Sequence, residues 1–329
     1  MRGALRLINA DMPEEDEAEP AAVIGIDIGG TNYTAALVAP NGEPLEVLRG
    51  KTDPEGGPQA LIGSLSAMVP ELMAEARERR LSVSGIGIGF GGPIDFLNGM
   101  VRLSHHVEGW EGFPLRQEMA RLSHLPVIMD NDANAAALGE HRFGVGRGLQ
   151  DLVYYNIGTG IGGAIILGGQ IRRGPSNLAG ELGHTTVQPG GPVCTCGQQG
   201  CLEALASGRA ISRRIAELQI PWQNRMAVGE DFFDLVDAGN EPAATVLDEV
   251  VSALAFSIRN VIHTLNPEMI VIGGGVSRGG KTLLGPLRER VSEICFPEAY
   301  RDSRIVHAQL GYDAGVIGAA SLALEVVRS

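Results

Sequence analysis

Five residues, Asp130-Asn131-Asp132-Ala133-Asn134, offer the acid–base chemistry of this chain. They follow the apolar run 125–129, which reads as a short buried strand, and precede 135–141, which reads as a helix. Asp132 or Asn134 can cap that helix, because short polar side chains accept from its free N–H groups. A carboxylate and amide cluster at such a corner is either a cap or a site. A second cluster joins His184 to Cys194, Cys196 and Cys201. One imidazole and three thiolates complete a tetrahedral zinc set, and with every position filled by protein such a zinc is structural. The glycines at 197 and 200 let the loop fold around an ion. The third kind of chemistry is phosphate binding. Asp27 leads into Gly29-Gly30-Thr31-Asn32, and Asn156 leads into Gly158-Thr159-Gly160. Backbone N–H groups in such turns hold phosphate oxygens, and Asp27 is placed to hold magnesium through water.

The flanking elements decide what kind of phosphate turn these are. Residues 23–28 form an apolar strand, and a second strand, 33–39, follows the glycines directly. A dinucleotide-binding or Walker loop would lead into a helix instead. The same strand, glycine turn and strand recur over 152–167, about 130 residues later. That repeat predicts two halves with one core design, each presenting a turn to a shared cleft. A strand over 83–90 ends in Gly91-Gly92, and a strand over 267–272 ends in Gly273-Gly274-Gly275. Apolar spacing predicts helices over 58–80, 114–124, 202–218, 230–238, 241–265, up to about 294, and 313–327, with a last strand over 304–310.

Composition narrows the function classes. The 329 residues are enough for two domains, and 44% hydrophobic with 20% charged residues describes a globular chain. The net charge of -13 argues against nucleic acid and anionic membranes as partners. No apolar run is long enough to span a bilayer, and the first residues lack the apolar stretch of a signal peptide, so a cytoplasmic location is expected. Residues 1–21, with the acidic run Asp11 to Glu19, read as a disordered leader. Three cysteines within eight residues, without a secretion signal, favour metal over disulfides.

Together these motifs resemble the ROK family of bacterial repressors and sugar kinases. The resemblance runs from Val23 to the C-terminus. It rests on Asp27-Ile-Gly-Gly-Thr31, Asn131-Asp132-Ala-Asn134, Gly158-Thr-Gly-Ile-Gly-Gly163, Glu181-Leu-Gly-His184, the cysteine loop through Glu203, and Gly273-Gly-Gly275. It implies an α/β, duplicated, actin-like or hexokinase-type fold of two domains around a cleft. Residues 22–130 with 311–329 would form the smaller domain and 131–310 the larger one. It further implies an ATP-dependent kinase of the glucokinase type, acting on the 6-hydroxyl of a hexose, with magnesium and a structural zinc as cofactors. A homodimer or homotetramer is also implied. By position, Asp132 would be the base, while Gly92, His106, Asn131, Glu181, His184 and Glu203 would line the sugar. His184 would serve zinc and sugar with its two ring nitrogens. Asp27, Gly29, Gly30, Thr31, Asn32, Gly158, Thr159, Gly160, Gly273, Gly274 and Gly275 would hold nucleotide and magnesium.

Two departures bear on the sugar. His105-His106 stands where the family's glucokinases usually have Pro-Asn, and Gly91 stands where a proline usually precedes Gly92. A kinase for N-acetylmannosamine, N-acetylglucosamine, fructose or mannose is therefore the alternative reading. A repressor would need a winged-helix module ahead of the first strand, and residues 1–21 are too few for one. A sugar-binding protein without catalysis would not need a base at Asp132.

Overall fold

The computed structural model describes residues 21–53, 55–102 and 109–327. Residues 1–20 of the expected leader and His105-His106 lie outside the described residues, and Ala21, the leader's expected last residue, opens a strand instead. The first half runs β1 (Ala21–Ile28), β2 (Asn32–Val38), β3 (Pro44–Lys51), α1 (Gly57–Glu78) and β4 (Ser82–Phe90). The short strands β5 (Ile94–Asp95) and β6 (Met100–Val101), then α2 (Leu115–Ser123) and β7 (Val127–Asn131), complete it. α3 (Asp132–Phe143) leads into β8 (Leu152–Ile157), β9 (Ile161–Leu167) and β10 (Gln170–Ile171). The chain continues through α4 (Leu202–Ala206), α5 (Gly208–Leu218), the hairpin of β11 (Pro221–Trp222) and β12 (Arg225–Met226), α6 (Phe232–Asp237) and α7 (Glu241–Leu265). It ends with β13 (Met269–Gly273), α8 (Gly280–Ile294), α9 (Pro297–Asp302), β14 (Arg304–His307) and α10 (Ala314–Val327).

The duplication expected from the two glycine turns is present in the sheets. The first has the order β3-β2-β1-β4-β7 and the second β10-β9-β8-β13-β14. In each, a three-stranded antiparallel meander continues into two parallel strands. Registers agree as well. Asp27 stands beside Gly89 on the next parallel strand, and Asn156 stands beside Gly273.

Each half has its own apolar core. Leu61, Leu65, Val69 and Leu72 of α1 pack on the first sheet, while Val250, Leu254, Ile258 and Ile262 of α7 pack on the second. α7 matches its expected bounds because its apolar stripe is broad and unbroken, and Asn240 caps it by accepting from Ala243 N–H at 3.0 Å. The two closing helices are exchanged between the halves. α3 follows the first sheet yet also packs on β8 and β9 of the second, while α10 follows the second sheet and packs on β1 and β4 of the first. Gly25 and Gly87 make that seat possible. A side chain at either position would collide with the α10 backbone.

Some expected boundaries move. The helix at 202–218 is two helices, because Ser207 is extended and caps α5 by accepting from Ala210 N–H at 3.1 Å. The 230–238 helix begins as a 3-10 turn, and a further 3-10 turn, Gly275–Gly279, separates β13 from α8. β14 stops at His307 rather than 310. The cap of α3 is neither Asp132 nor Asn134 but Asn131, which accepts from Ala133 N–H at 2.9 Å and Asn134 N–H at 3.4 Å.

Candidate active site

That shift in the cap releases Asp132. As the first residue of α3 it turns into the space between the halves, facing Asp27 from the end of β1. A cavity of about 260 Å³ opens there, bounded by Asp27, Asp132, Asn156, Gly274, Gly275 and Gly315. Burial and the neighbouring Asp132 charge push Asp27 up to about 7. Burial also pushes Asp132 up to about 6, with a smaller contribution from Glu181, against the Ala133 N–H bond that favours its charge. Two carboxylates that resist ionising together suit one proton acceptor beside one cation ligand.

Asp130, two residues before Asp132, is a different kind of carboxylate. It is 1% exposed, and its Oδ1 accepts from Asn131 N–H at 2.8 Å and Asn134 Nδ2 at 2.9 Å. Its Oδ2 accepts from Arg173 Nε at 2.7 Å. Those bonds occupy it, so of the two carboxylates only Asp132 lines the cavity.

The glycine turns share one hydrogen-bond design. In the first, Gly29 N–H donates to Asn32 C=O at 2.9 Å, and Thr52 takes the outward carbonyls of Gly29 and Thr31 through its hydroxyl and N–H. In the second, Gly158 N–H donates to Gly160 C=O at 2.9 Å, and the N–H groups of Gly208 and Arg209 take the carbonyls of Gly158 and Thr159. Among the described residues, the N–H groups of Gly30, Thr31, Thr159 and Gly160 have no protein acceptor. Each turn thus keeps its carbonyls tied back and leaves donors for an anion.

The three glycines after β13 have separate reasons. A side chain at Gly273 would strike the Tyr154 ring, and one at Gly274, with φ of 82°, would strike Ile157 and Asn156. Gly275 faces open space. Gly315, at the start of α10, lies so near the Asp27 carboxylate that no side chain fits between them. Its sequence signal was only that of a packing glycine.

The candidate sugar residues are Glu181, whose charge acts on Asp132, with His184, Glu203 and Asn131. Glu181 is exposed beside the short 3-10 turn Leu182–His184. Glu203 Oε2 accepts from Ile161 N–H at 2.9 Å and Oε1 from Thr195 Oγ1 at 2.9 Å, which ties the cysteine loop to the second glycine turn. Asn131 donates from Nδ2 to Gly92 C=O at 3.3 Å.

His184, Cys194, Cys196 and Cys201 converge, with all four donor atoms within 4.8 Å of one another. The Cys196 and Cys201 sulfurs are 3.7 Å apart, and Cys194 Sγ is 3.6 Å from His184 Nδ1. Zinc bonds of about 2.3 Å to sulfur and about 2.0 Å to nitrogen set tetrahedral edges of about 3.8 and about 3.5 Å. Donor set and spacing therefore fit zinc. Nδ1 faces the cluster, which leaves Nε2 for another partner.

Sequence reasoning missed Arg173 and Thr52. Neither lies in a motif, and only the folded chain brings Arg173 to Asp130 or Thr52 to the first turn.

Known proteins resemble this chain in sequence and fold. A glucokinase from Thermotoga maritima is 38% identical over 313 residues, 92% of this chain and 97% of the relative. An N-acetylmannosamine kinase from Escherichia coli is 35% identical over 302 residues, 91% and 97% of the two chains. The crystal structure of a ROK family glucokinase from Streptomyces griseus in complex with glucose and AMPPNP superposes with a TM-score of 0.78 at 32% identity, covering 92% of this chain and 99% of that one. The family description itself matches residues 23–326, nearly everything outside the leader, and the chain belongs to the ROK family.

Proposed function

We propose that this protein transfers the γ-phosphoryl group of ATP to the 6-hydroxyl of glucose. The observation that carries this reading is Asp132: a carboxylate pushed up to about 6, set with Asp27 in the cavity between the halves, in a chain whose two glycine turns carry N–H groups without a protein acceptor. A base of that strength is ionised at neutral pH yet still accepts a proton as the sugar oxygen attacks phosphorus. The amides of Gly30, Thr31, Thr159 and Gly160 hold phosphate oxygens, while Gly274 and Gly275 let the nucleotide approach the second sheet. Asn131, Glu181, His184 and Glu203 orient the sugar hydroxyls, with Gly92 and His106 completing the sugar side. Asp27 would hold magnesium, which would supply the neutralisation of phosphate charge that phosphoryl transfer mainly demands. His184, Cys194, Cys196 and Cys201 would hold a zinc ion, which would fix the imidazole and leave Nε2 for the sugar. The division into a domain of 22–130 with 311–329 and one of 131–310 follows from the same reading, with closure of the cleft excluding water.

A second reading, phosphorylation of N-acetylmannosamine, draws on the 35% identical relative of that activity and on His106 in the place of an asparagine. Coupled ADP-release kinetics with ATP, magnesium and a panel of glucose, mannose, fructose, N-acetylglucosamine and N-acetylmannosamine separates the two. Glucose is expected to give the highest kcat/KM. A higher value for N-acetylmannosamine would move the substrate and keep the mechanism, and no turnover of any hexose would sink both readings.

A further inference from the structure

Arg173 follows β10 and so belongs to the half that carries Glu181, His184 and Glu203, yet its guanidinium reaches the other half. Nε and Nη2 both lie 2.7 Å from Asp130 Oδ2, and the guanidinium carbon lies 3.9 Å from the centre of the Phe96 ring. The Asp130 side chain is 2% exposed. Its other oxygen holds Asn131 N–H and the Asn134 amide, and Asn131 in turn caps α3 and donates to Gly92. The direction in which Asp132 leaves the first turn of α3 is therefore set by a chain of bonds that begins at Arg173. Phe96 lies on the turn between β5 and β6, the hairpin that leads into residues 103–108. Arg173 thus touches two features of the first half, Asp130 at the entry to the Asn131-Asp132 corner and this hairpin.

We propose that Arg173 is a positioning residue that locks the Asn131-Asp132 corner and the β5–β6 hairpin to the sugar-binding loops of the other half. The inference rests on the sugar-kinase reading. The task calls for arginine in particular. A planar guanidinium donates two N–H groups to one carboxylate while its face lies on an aromatic ring, and a lysine ammonium is a point charge that does only the first of these, and singly.

The test measures kcat and both KM values for wild type, Arg173→Met, Arg173→Lys and the pair Asp130→Asn/Arg173→Met. The pair leaves no unpaired buried charge, so it remains informative if Arg173→Met alone fails to fold. In Arg173→Met or in the pair, kcat is expected to fall about 10- to 100-fold, the cost of misplacing a reacting group by about 1 Å. Hexose KM is expected to rise while ATP KM stays within about twofold. Arg173→Lys should lie between these and wild type. A folded pair variant with wild-type kcat and hexose KM would overturn the proposal, because an ion pair that only stabilises the fold moves the melting temperature and neither constant. Wild type turning over no hexose would instead overturn the kinase reading, and this inference with it.

Discussion

At the scale of single residues, three aspartates with the same side chain are given three tasks by their surroundings. Asp130 is buried and fully bonded, Asp132 is half-buried with its charge disfavoured, and Asp27 is half-buried beside Asp132 with its charge disfavoured further. This has a consequence for stability. The unfolded Asp27 carboxylate titrates near 3.8 and the folded one near 7. Between those values the folded protein holds a proton that the unfolded chain has lost, so this group's contribution falls as pH rises through the window. Asp27→Asn removes the charge but keeps the shape. Without nucleotide or magnesium, its melting temperature should exceed that of wild type by a few degrees at pH 8, with the gain shrinking toward pH 5. An equal gain at both pH values, or a loss at pH 8, would show that Asp27 is not held against ionisation. The residue types pointed to Asp27 and Asp132 from the sequence, because each ends a strand beside glycines or amides. The separate role of Asp130 was not legible, since its partner Arg173 is 43 positions away and lies in no motif.

At the scale of elements, the long periodic segments were read well and the short junctions less so. α7 came out with its expected ends, and both sheets carry the repeat that the glycine turns announced. The errors fall where one side chain overrules a pattern. Ser207 splits an apolar run by capping α5, and Asn131 takes the cap expected of its neighbours. Helical spacing averages over several turns and cannot register a single residue that prefers extended backbone. The cysteine loop is the opposite case, a short element readable from ligand spacing alone. Its link to chemistry runs through Glu203, which bonds Thr195 of the loop and Ile161 of the second turn. Cys196→Ser should lower the zinc content measured by elemental analysis and raise the hexose KM about 10-fold or more, through His184. A zinc-free variant with unchanged hexose KM would separate the loop from the site.

At the scale of the whole molecule, the exchanged closing helices explain why the Asn131-Asp132 corner lies where the halves meet. α3 begins at the end of the first sheet and packs on the second, so its first turn, with Asp132, is carried to the boundary. α10 does the reverse and brings Gly315 against Asp27. The duplication of the sheet was legible from the repeat. The exchange was not, because helix spacing says which face is buried and not which sheet covers it. Among the described residues no helix is long and apolar enough to cross a membrane.

With Asp132 as the base, phosphoryl should pass from ATP to a hexose rather than to water. Phosphorus NMR of a reaction holding ATP, magnesium and glucose tests it most directly, run with wild type and with Asp132→Asn. Wild type should produce a hexose 6-phosphate resonance in step with ADP. The variant should lose that product by several orders of magnitude while still binding glucose by calorimetry. Inorganic phosphate in place of the sugar phosphate, or a variant as productive as wild type, would contradict the account.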